Sequence, residues 1–257
     1  MDKYKISIVT VVYNGVESLE RTILSVINQT YYNIEYIIID GGSTDGTQDV
    51  IKKYAEKISY WVSERDKGIY DAMNKGIMAA TGVYILFMNC GDKIYNFNTL
   101  ENLFSYDTDQ DVIYGDTYLD TDGEKSFSKS KSIDKIKYGM PFCHQSVFVK
   151  LGIIKKRNFS LKYSLASDYD FFMFLYSEGI FSFKKTDELI SIYDNCGASM
   201  SLKAIKEKFL ISKEYYPFSS SSGYHYCQLI YYTLTSFLKR ILPDSITRKI
   251  IKLKRRI

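Results

Sequence analysis

Between residues 5 and 92, apolar and β-branched runs alternate four times with stretches of helical spacing. The runs are Lys5-Ile-Ser-Ile-Val-Thr-Val-Val12, Ile34-Glu-Tyr-Ile-Ile-Ile39, residues 59–62 and Val83-Tyr-Ile-Leu-Phe-Met88. Strands this uniformly apolar are the ones buried on both faces of a sheet. Between them, Leu19, Ile23, Val26 and Ile27, then Val50, Ile51, Tyr54 and Ile58, recur at helical spacing, as do Ile69, Ala72, Met73, Gly76, Ile77 and Ala80. This alternation predicts an α/β chain with a mostly parallel, Rossmann-like sheet covered by helices. In such sheets ligands lie beyond the carboxyl ends of the strands. The polar clusters 13–14, 40–47 and 89–92 each follow a strand, so they are expected to converge on one rim.

After residue 110 the pattern loosens. Val112-Ile-Tyr-Gly-Asp116 reads as a strand, and Asp122-Gly123 as a hairpin turn between Tyr118-Leu119 and Phe127. Residues 168–178 read as a helix, followed by short strands over 181–183 and 189–193. From 201 onward the chain reads as helical, interrupted at Pro217 and the serine run 219–222, a candidate linker. The expected division is therefore a domain over 1–200 and a helical C-terminal extension over 201–257.

Several function classes lose their support. There is no G-x-G-x-x-G after the first strand and no G-x-x-x-x-G-K-[ST]. The net charge of +4 is uneven: residues 239–257 hold eight basic residues and one acid, Asp244, while the rest of the chain sums to −3. A near-neutral domain with a basic tail is not a nucleic-acid-coating protein. Cys90, Cys143, Cys196 and Cys227 are too scattered for a zinc site and suit a reducing compartment. No apolar signal segment precedes the first strand, which points to the cytoplasm. No run of about 18 apolar residues is present, so a transmembrane helix is not expected.

Four segments carry a resemblance: Ile6 to Asn14, Asp40-Gly-Gly-Ser-Thr-Asp-Gly-Thr47, Glu64-Arg-Asp-Lys-Gly-Ile-Tyr-Asp-Ala-Met-Asn-Lys-Gly76 and Asn89-Cys-Gly-Asp92. Their order and spacing resemble the N-terminal half of family 2 inverting glycosyltransferases with the GT-A fold. The resemblance continues through Tyr114-Gly-Asp116, Cys143-His-Gln145 and Ala166-Ser-Asp-Tyr-Asp170, covering residues 5–200. The nearest flavour is the subgroup that builds bacterial capsule, exopolysaccharide or lipopolysaccharide repeat units.

The resemblance implies a role for each cluster. Tyr13, beside Asn14, would lie against the nucleotide base, where an aromatic face at a strand end can stack; otherwise it caps the helix start. Asp40 stands where the family keeps the first acid of its base-reading loop, and Gly41 where many relatives carry a second. The same loop also reads as a helix cap through Asp45 or Thr47. Asp66, Lys67, Asn74 and Lys75 belong to the segment that closes over the nucleotide and its phosphates, unless they form a surface charge cluster. Asn89-Cys-Gly-Asp92 resembles a D-x-D motif that keeps only its last acid. Asp92 is then the ligand of Mn2+ or Mg2+, with Asn89 contributing indirectly, or Gly91-Asp92 is a turn. Asp168 matches the catalytic base, which takes the proton of the attacking hydroxyl, or it is a helix N-cap. Asp170 is the second candidate for base. His144 and Gln145 would touch acceptor or diphosphate, or be structural, and Asp116 the sugar.

Processive relatives carry Gln-x-x-Arg-Trp, whereas the only Trp here is Trp61, in a strand. One sugar per encounter is therefore expected, from a UDP-sugar first and a GDP-sugar next. The expected acceptor is a glycan or lipid-linked glycan. Residues 224–242 are aromatic and apolar, and no acid lies between Glu214 and Asp244. With the basic tail they read as an interfacial helix on an anionic membrane, on the cytoplasmic face, or else as a core or dimer contact. A catalytically silent nucleotide-sugar or glycan-binding relative is the alternative, because two motifs have lost one acid each.

Overall fold

The computed structural model describes residues 4–105, 108–121, 123–194, 201–217 and 219–241, with side chains to residue 235. The expected parallel half is present. Strands β1 (Ile6–Val12), β2 (Ile34–Asp40), β3 (Tyr60–Ser63) and β4 (Tyr84–Phe87) lie in the order β3-β2-β1-β4 and run parallel. Every residue of β1 is buried. Its side chains alternate: Val9 and Val11 join one core cluster with Met73 and Ile77, while Ile6 and Ile8 join the other with Leu19 and Ile23. The first cluster belongs to helix α3 (Ile69–Ala79) and the second to helix α1 (Val16–Ile27), so the strand is covered on both faces. Each fully buried isoleucine contributes about 1.5–3 kcal/mol.

The other half of the sheet is mixed. β4 is followed in space by β8 (Val147–Lys150), which is antiparallel both to β4 and to β6 (Val112–Thr121). β9 (Phe183–Asp194) then runs parallel to β6, and β5 (Lys93–Ile94) closes the edge antiparallel to β9. β8 is only four residues long and enters from a tight 3-10 turn, His144–Ser146. The two short strands expected at 181–183 and 189–193 are one strand, whose register slips against β6 between Tyr114 and Thr117. The expected hairpin is present: Tyr118 pairs with Phe127 of β7 (Glu124–Ser128), and Gly123 has φ +89°. Residue 122 lies outside the described residues, as do Cys196 and the tail from 242 onward.

At the amino ends of the strands, Glu35 is held by Ser7 Oγ at 2.6 Å, the Thr81 amide at 2.7 Å and Lys5 Nζ at 2.9 Å. Burial works to raise its pKa, but these donors hold it at about 2. This charged cluster ties β1, β2 and the entry to β4 together at the end opposite the rim.

The helices after the sheet pack on it. α6 (Ser167–Glu178) is followed by α7 (Leu202–Tyr215), whose Ile211 sits in the first core cluster. The buried Glu207 carboxylate of α7 accepts the amides of Ser164 and Leu165 at 3.1 and 2.8 Å. The serine run is no linker. It opens helix α8 (Ser220–Ile241), with the Ser222 hydroxyl donating to the Ser219 carbonyl at 2.9 Å. Among the described residues, no helix is long and apolar enough to cross a membrane.

Candidate active site

The first two rim loops are hydrogen-bonded to one another. Asn14 takes a left-handed conformation, φ 49°, which asparagine tolerates better than most residues. Its amide donates to Ser43 Oγ at 2.7 Å, and its side chain accepts the Thr44 amide at 3.0 Å. The Gly15 amide donates to Thr47 Oγ1 at 2.9 Å and the Val16 amide to Asp45 Oδ2 at 3.1 Å. The second loop thus caps the start of α1, and Asp45 also accepts the Thr47 amide at the start of helix α2 (Thr47–Lys53). The N-cap residues themselves are Gly15 and Gly46, and Asp45 fastens both helix starts by accepting the Val16 and Thr47 amides.

Asp40 lies beneath that loop, fully buried. Its carboxylate accepts from the Ser43 amide at 3.1 Å and from the hydroxyls of Ser43 and Ser63. Its oxygens are thus hydrogen-bonded inside the fold, beneath the loop that the resemblance assigns to the base. Asp66 is better placed. A Cβ on Gly41 would lie 2.5 Å from Asp66 Oδ2 and 3.4 Å from the Tyr13 ring. The Asp66 carboxylate therefore fills the space beside residue 41, where many relatives carry their second acid. Tyr13 is exposed beside it. Lys67 is exposed on the same loop, while Lys75 is paired with Glu64 at 2.8 Å.

Asp92 follows β4 and is buried. Its two oxygens accept the Asp194 amide at 2.9 Å and Gln145 Nε2 at 2.8 Å. Burial pushes its carboxyl up to about 7, and the Asp194 charge adds to that rise against the two hydrogen bonds. Asn89 Oδ1 is buried with no hydrogen-bond partner among the described residues. No group of three or more His, Cys, Asp or Glu side chains gathers among those residues to hold a metal.

Asp168 stands at the start of α6. Its Oδ1 accepts the Tyr70 hydroxyl at 2.8 Å, and its Oδ2 is 3.9 Å from His144 Nδ1. His144 stacks on Phe87 with centroids 5.4 Å apart. Burial lowers its pKa more than the neighbouring Asp168 raises it, so the imidazole is neutral. His144 and Gln145 are consecutive in the 3-10 turn. One faces Asp168 and the other holds Asp92, so this turn joins the two carboxylates of the site.

Other candidates are engaged elsewhere, because a polar residue near a motif can be satisfied by backbone distant in sequence. Both ends of the Asn74 amide bond the backbone of Phe159 at 2.9 Å, which makes it a staple for the segment before α6. Asp116 is buried and accepts the Ser130 amide and hydroxyl at 2.8 and 2.7 Å. Asp170, two residues after Asp168, is held by Arg157 at 3.3 Å and the Tyr215 hydroxyl at 3.2 Å, in the contact with α7. Sequence reasoning missed Tyr70, which sits among apolar residues at helical spacing and looks like one more core position.

Comparison with known proteins shows the family and the fold. The sequence matches Glycosyl transferase family 2 over residues 7–183. It is 25% identical over 257 residues to a PGL/p-HBAD biosynthesis glycosyltransferase of Mycobacterium bovis, covering 97% of both chains. The fold is similar to S. aureus TarS 1–349 in complex with UDP, with a TM-score of 0.65 and 16% identity over 88% of this chain and 70% of that one. The mannosyltransferase PcManGT from Pyrobaculum calidifontis, in complex with GDP-Man and Mn2+, also has a TM-score of 0.65, with 12% identity over 98% of this chain and 79% of that one. The matched span includes every rim loop and Asp168, and the chain belongs to glycosyl transferase family 2, as a glycosyltransferase of the GT-A fold.

Proposed function

We propose that this enzyme transfers one sugar at a time, with inversion, from a nucleotide-diphosphate sugar to a glycan or lipid-linked glycan in surface polysaccharide synthesis. The observation that carries the reading is the His144–Gln145 turn, which links Asp92 to Asp168. An acceptor hydroxyl attacks the anomeric carbon, forming a new C–O bond as the bond to the diphosphate breaks. The hydroxyl proton passes to Asp168, whose Oδ2 is the less engaged oxygen. Neutral His144 leaves that carboxylate without a competing cation. Tyr13 stacks on the base, Asp66 accepts a base or ribose donor, and Lys67 faces the diphosphate as a point charge.

The residues fit a divalent cation. Asp92 is a carboxyl whose pKa is raised by burial, and Asn89 offers a buried carbonyl oxygen with no hydrogen-bond partner among the described residues. With so few protein oxygens, Mn2+ or Mg2+ would be held largely by the substrate diphosphate. When bound, the cation supplies positive charge to the leaving diphosphate. UDP is the favoured nucleotide of the donor, supported by its presence in a structure of the same fold.

The test is a thermal-shift panel of UDP, GDP, dTDP and CMP, each with and without Mn2+. UDP with Mn2+ is expected to raise the melting temperature, with about 2.7 kcal/mol of stabilisation at ~100 times its Kd. Tyr13→Ala should weaken that binding by about 1–3 kcal/mol, the usual loss for a stacked base. If no nucleotide shifts the melt, the donor site is wrong.

Helix α8 presents Tyr224, Tyr226, Ile230 and Leu234 to solvent, and the basic stretch 239–257 begins in its last turn. This pairing supports attachment to an anionic membrane on the cytoplasmic side. The chain should float with vesicles containing phosphatidylglycerol and not with phosphatidylcholine alone. Flotation that survives replacement of the eight basic residues by glutamine would overturn the attachment.

A further inference from the structure

We propose that Tyr70 is a positioning residue for Asp168: its hydroxyl fixes Oδ1, so that Oδ2 is the oxygen presented to the acceptor. This rests on the reading of Asp168 as the base. A carboxylate at the start of a helix can rotate about its last bond and exchange its two oxygens, and a single short hydrogen bond stops that exchange. Tyr70 supplies it at 2.8 Å from the first turn of α3, with its own ring buried and tilted against Phe159 at a centroid distance of 5.4 Å. Neither ring is free to swing. The Phe159 backbone is in turn clamped by Asn74 on the same helix.

The groups facing Asp168 leave this role to Tyr70. His144 and Cys143 approach from the 3-10 turn and its cap, and both are neutral: burial lowers the imidazole and raises the thiol to about 12. Burial and the Asp168 charge push the Tyr70 hydroxyl well above its ordinary value, so it stays a donor. On α6 itself, Asp170 is turned to Arg157 and Tyr215. The hydroxyl therefore aims the carboxylate by holding one of its oxygens. Tyr70 also follows Asp66 by four residues, and the Gly68 amide between them donates to Asp66 Oδ1 at 2.8 Å. The segment that carries the donor-side acid thus also aims the base.

Tyr70→Phe keeps the ring and removes only the hydroxyl. We expect kcat to fall roughly ten- to a hundredfold, with the donor KM and the UDP thermal shift unchanged. In an Asp168→Asn background the same substitution should change nothing further. A Tyr70→Phe variant that keeps the parent kcat overturns the inference, while an inactive Asp168→Asn leaves the base reading standing. So does a fall in kcat that tracks a lower melting temperature and a raised KM, since Tyr70 would then only support packing. Full transfer by Asp168→Asn removes the base reading and this inference together.

Discussion

Asp168→Asn should lower transfer about a thousandfold while the melting shift from UDP with Mn2+ stays as in the parent. The exchange is close to isosteric. The asparagine oxygen can still accept the Tyr70 hydroxyl, and its amide would face His144, whose ring nitrogens have no partner among the described residues. The fold around α6 has no reason to move. What disappears is the carboxylate that takes the acceptor proton, a loss of about 4 kcal/mol in transition-state stabilisation. Steady-state kinetics and the nucleotide melt, measured on one preparation, separate the possibilities. Unchanged turnover removes Asp168 from the chemistry. Loss of the UDP shift in parallel with turnover would mean that the substitution had disturbed the donor loops.

The largest expected effect on stability lies within the Tyr114-Gly-Asp116 segment. Gly115 lies in β6 where β9 crosses closest. A Cβ there would overlap the Glu188 carbonyl oxygen and sit 2.8 Å from Ile190 Cδ1 and 3.0 Å from Thr186 Cγ2. A carbonyl in a strand cannot swing aside as a side-chain tip can, and the β6–β9 register already slips at this point. Gly115→Ala is expected to cost about 3 kcal/mol, the upper part of the usual range for overpacking. For a chain of this size that corresponds to a fall in Tm of about 6–12 °C. Gly152→Ala is the control. It sits in helix α5 (Leu151–Lys156) with no atom within 4 Å of the added carbon, and it should stabilise by up to about 1 kcal/mol. Equal melting of the two variants would show that β9 can retreat.

The parts of the fold that were legible before the structure are those where one local signal decides. β1, β2 and β4 are apolar on both faces, and nothing but a doubly covered strand explains Ile37-Ile-Ile39. β8 was missed because Val147–Lys150 is short and follows a polar turn, so it offers no period to detect. β9 reads as two strands because Asp187 and Glu188 interrupt its apolar run, and its pairing with β6 itself breaks register between Lys185 and Leu189. The site divides in the same way. The rim loops were legible because polar residues collect after buried strands. Which of those residues face the ligand was not, because that depends on partners distant in the chain. Asp40, Asn74, Asp116 and Asp170 are all satisfied by such partners. Tyr70 looks apolar in sequence, and its function lies in a single atom that meets α6 across 98 residues.

The hydrogen bonds between the loops at Asn14–Val16 and Ser43–Thr47 have an evolutionary consequence. Asn14, Ser43, Thr44, Asp45 and Thr47 are cross-fastened, so neither loop can change shape by itself. If these loops hold the nucleotide as proposed, a descendant that shifts to another one has to inherit new versions of both together, or alter a neighbour such as Asp66, whose carboxylate accepts the Gly68 amide. Chimeras that exchange residues 13–16 and 41–47 as one cassette respect this architecture, and chimeras that divide them break it.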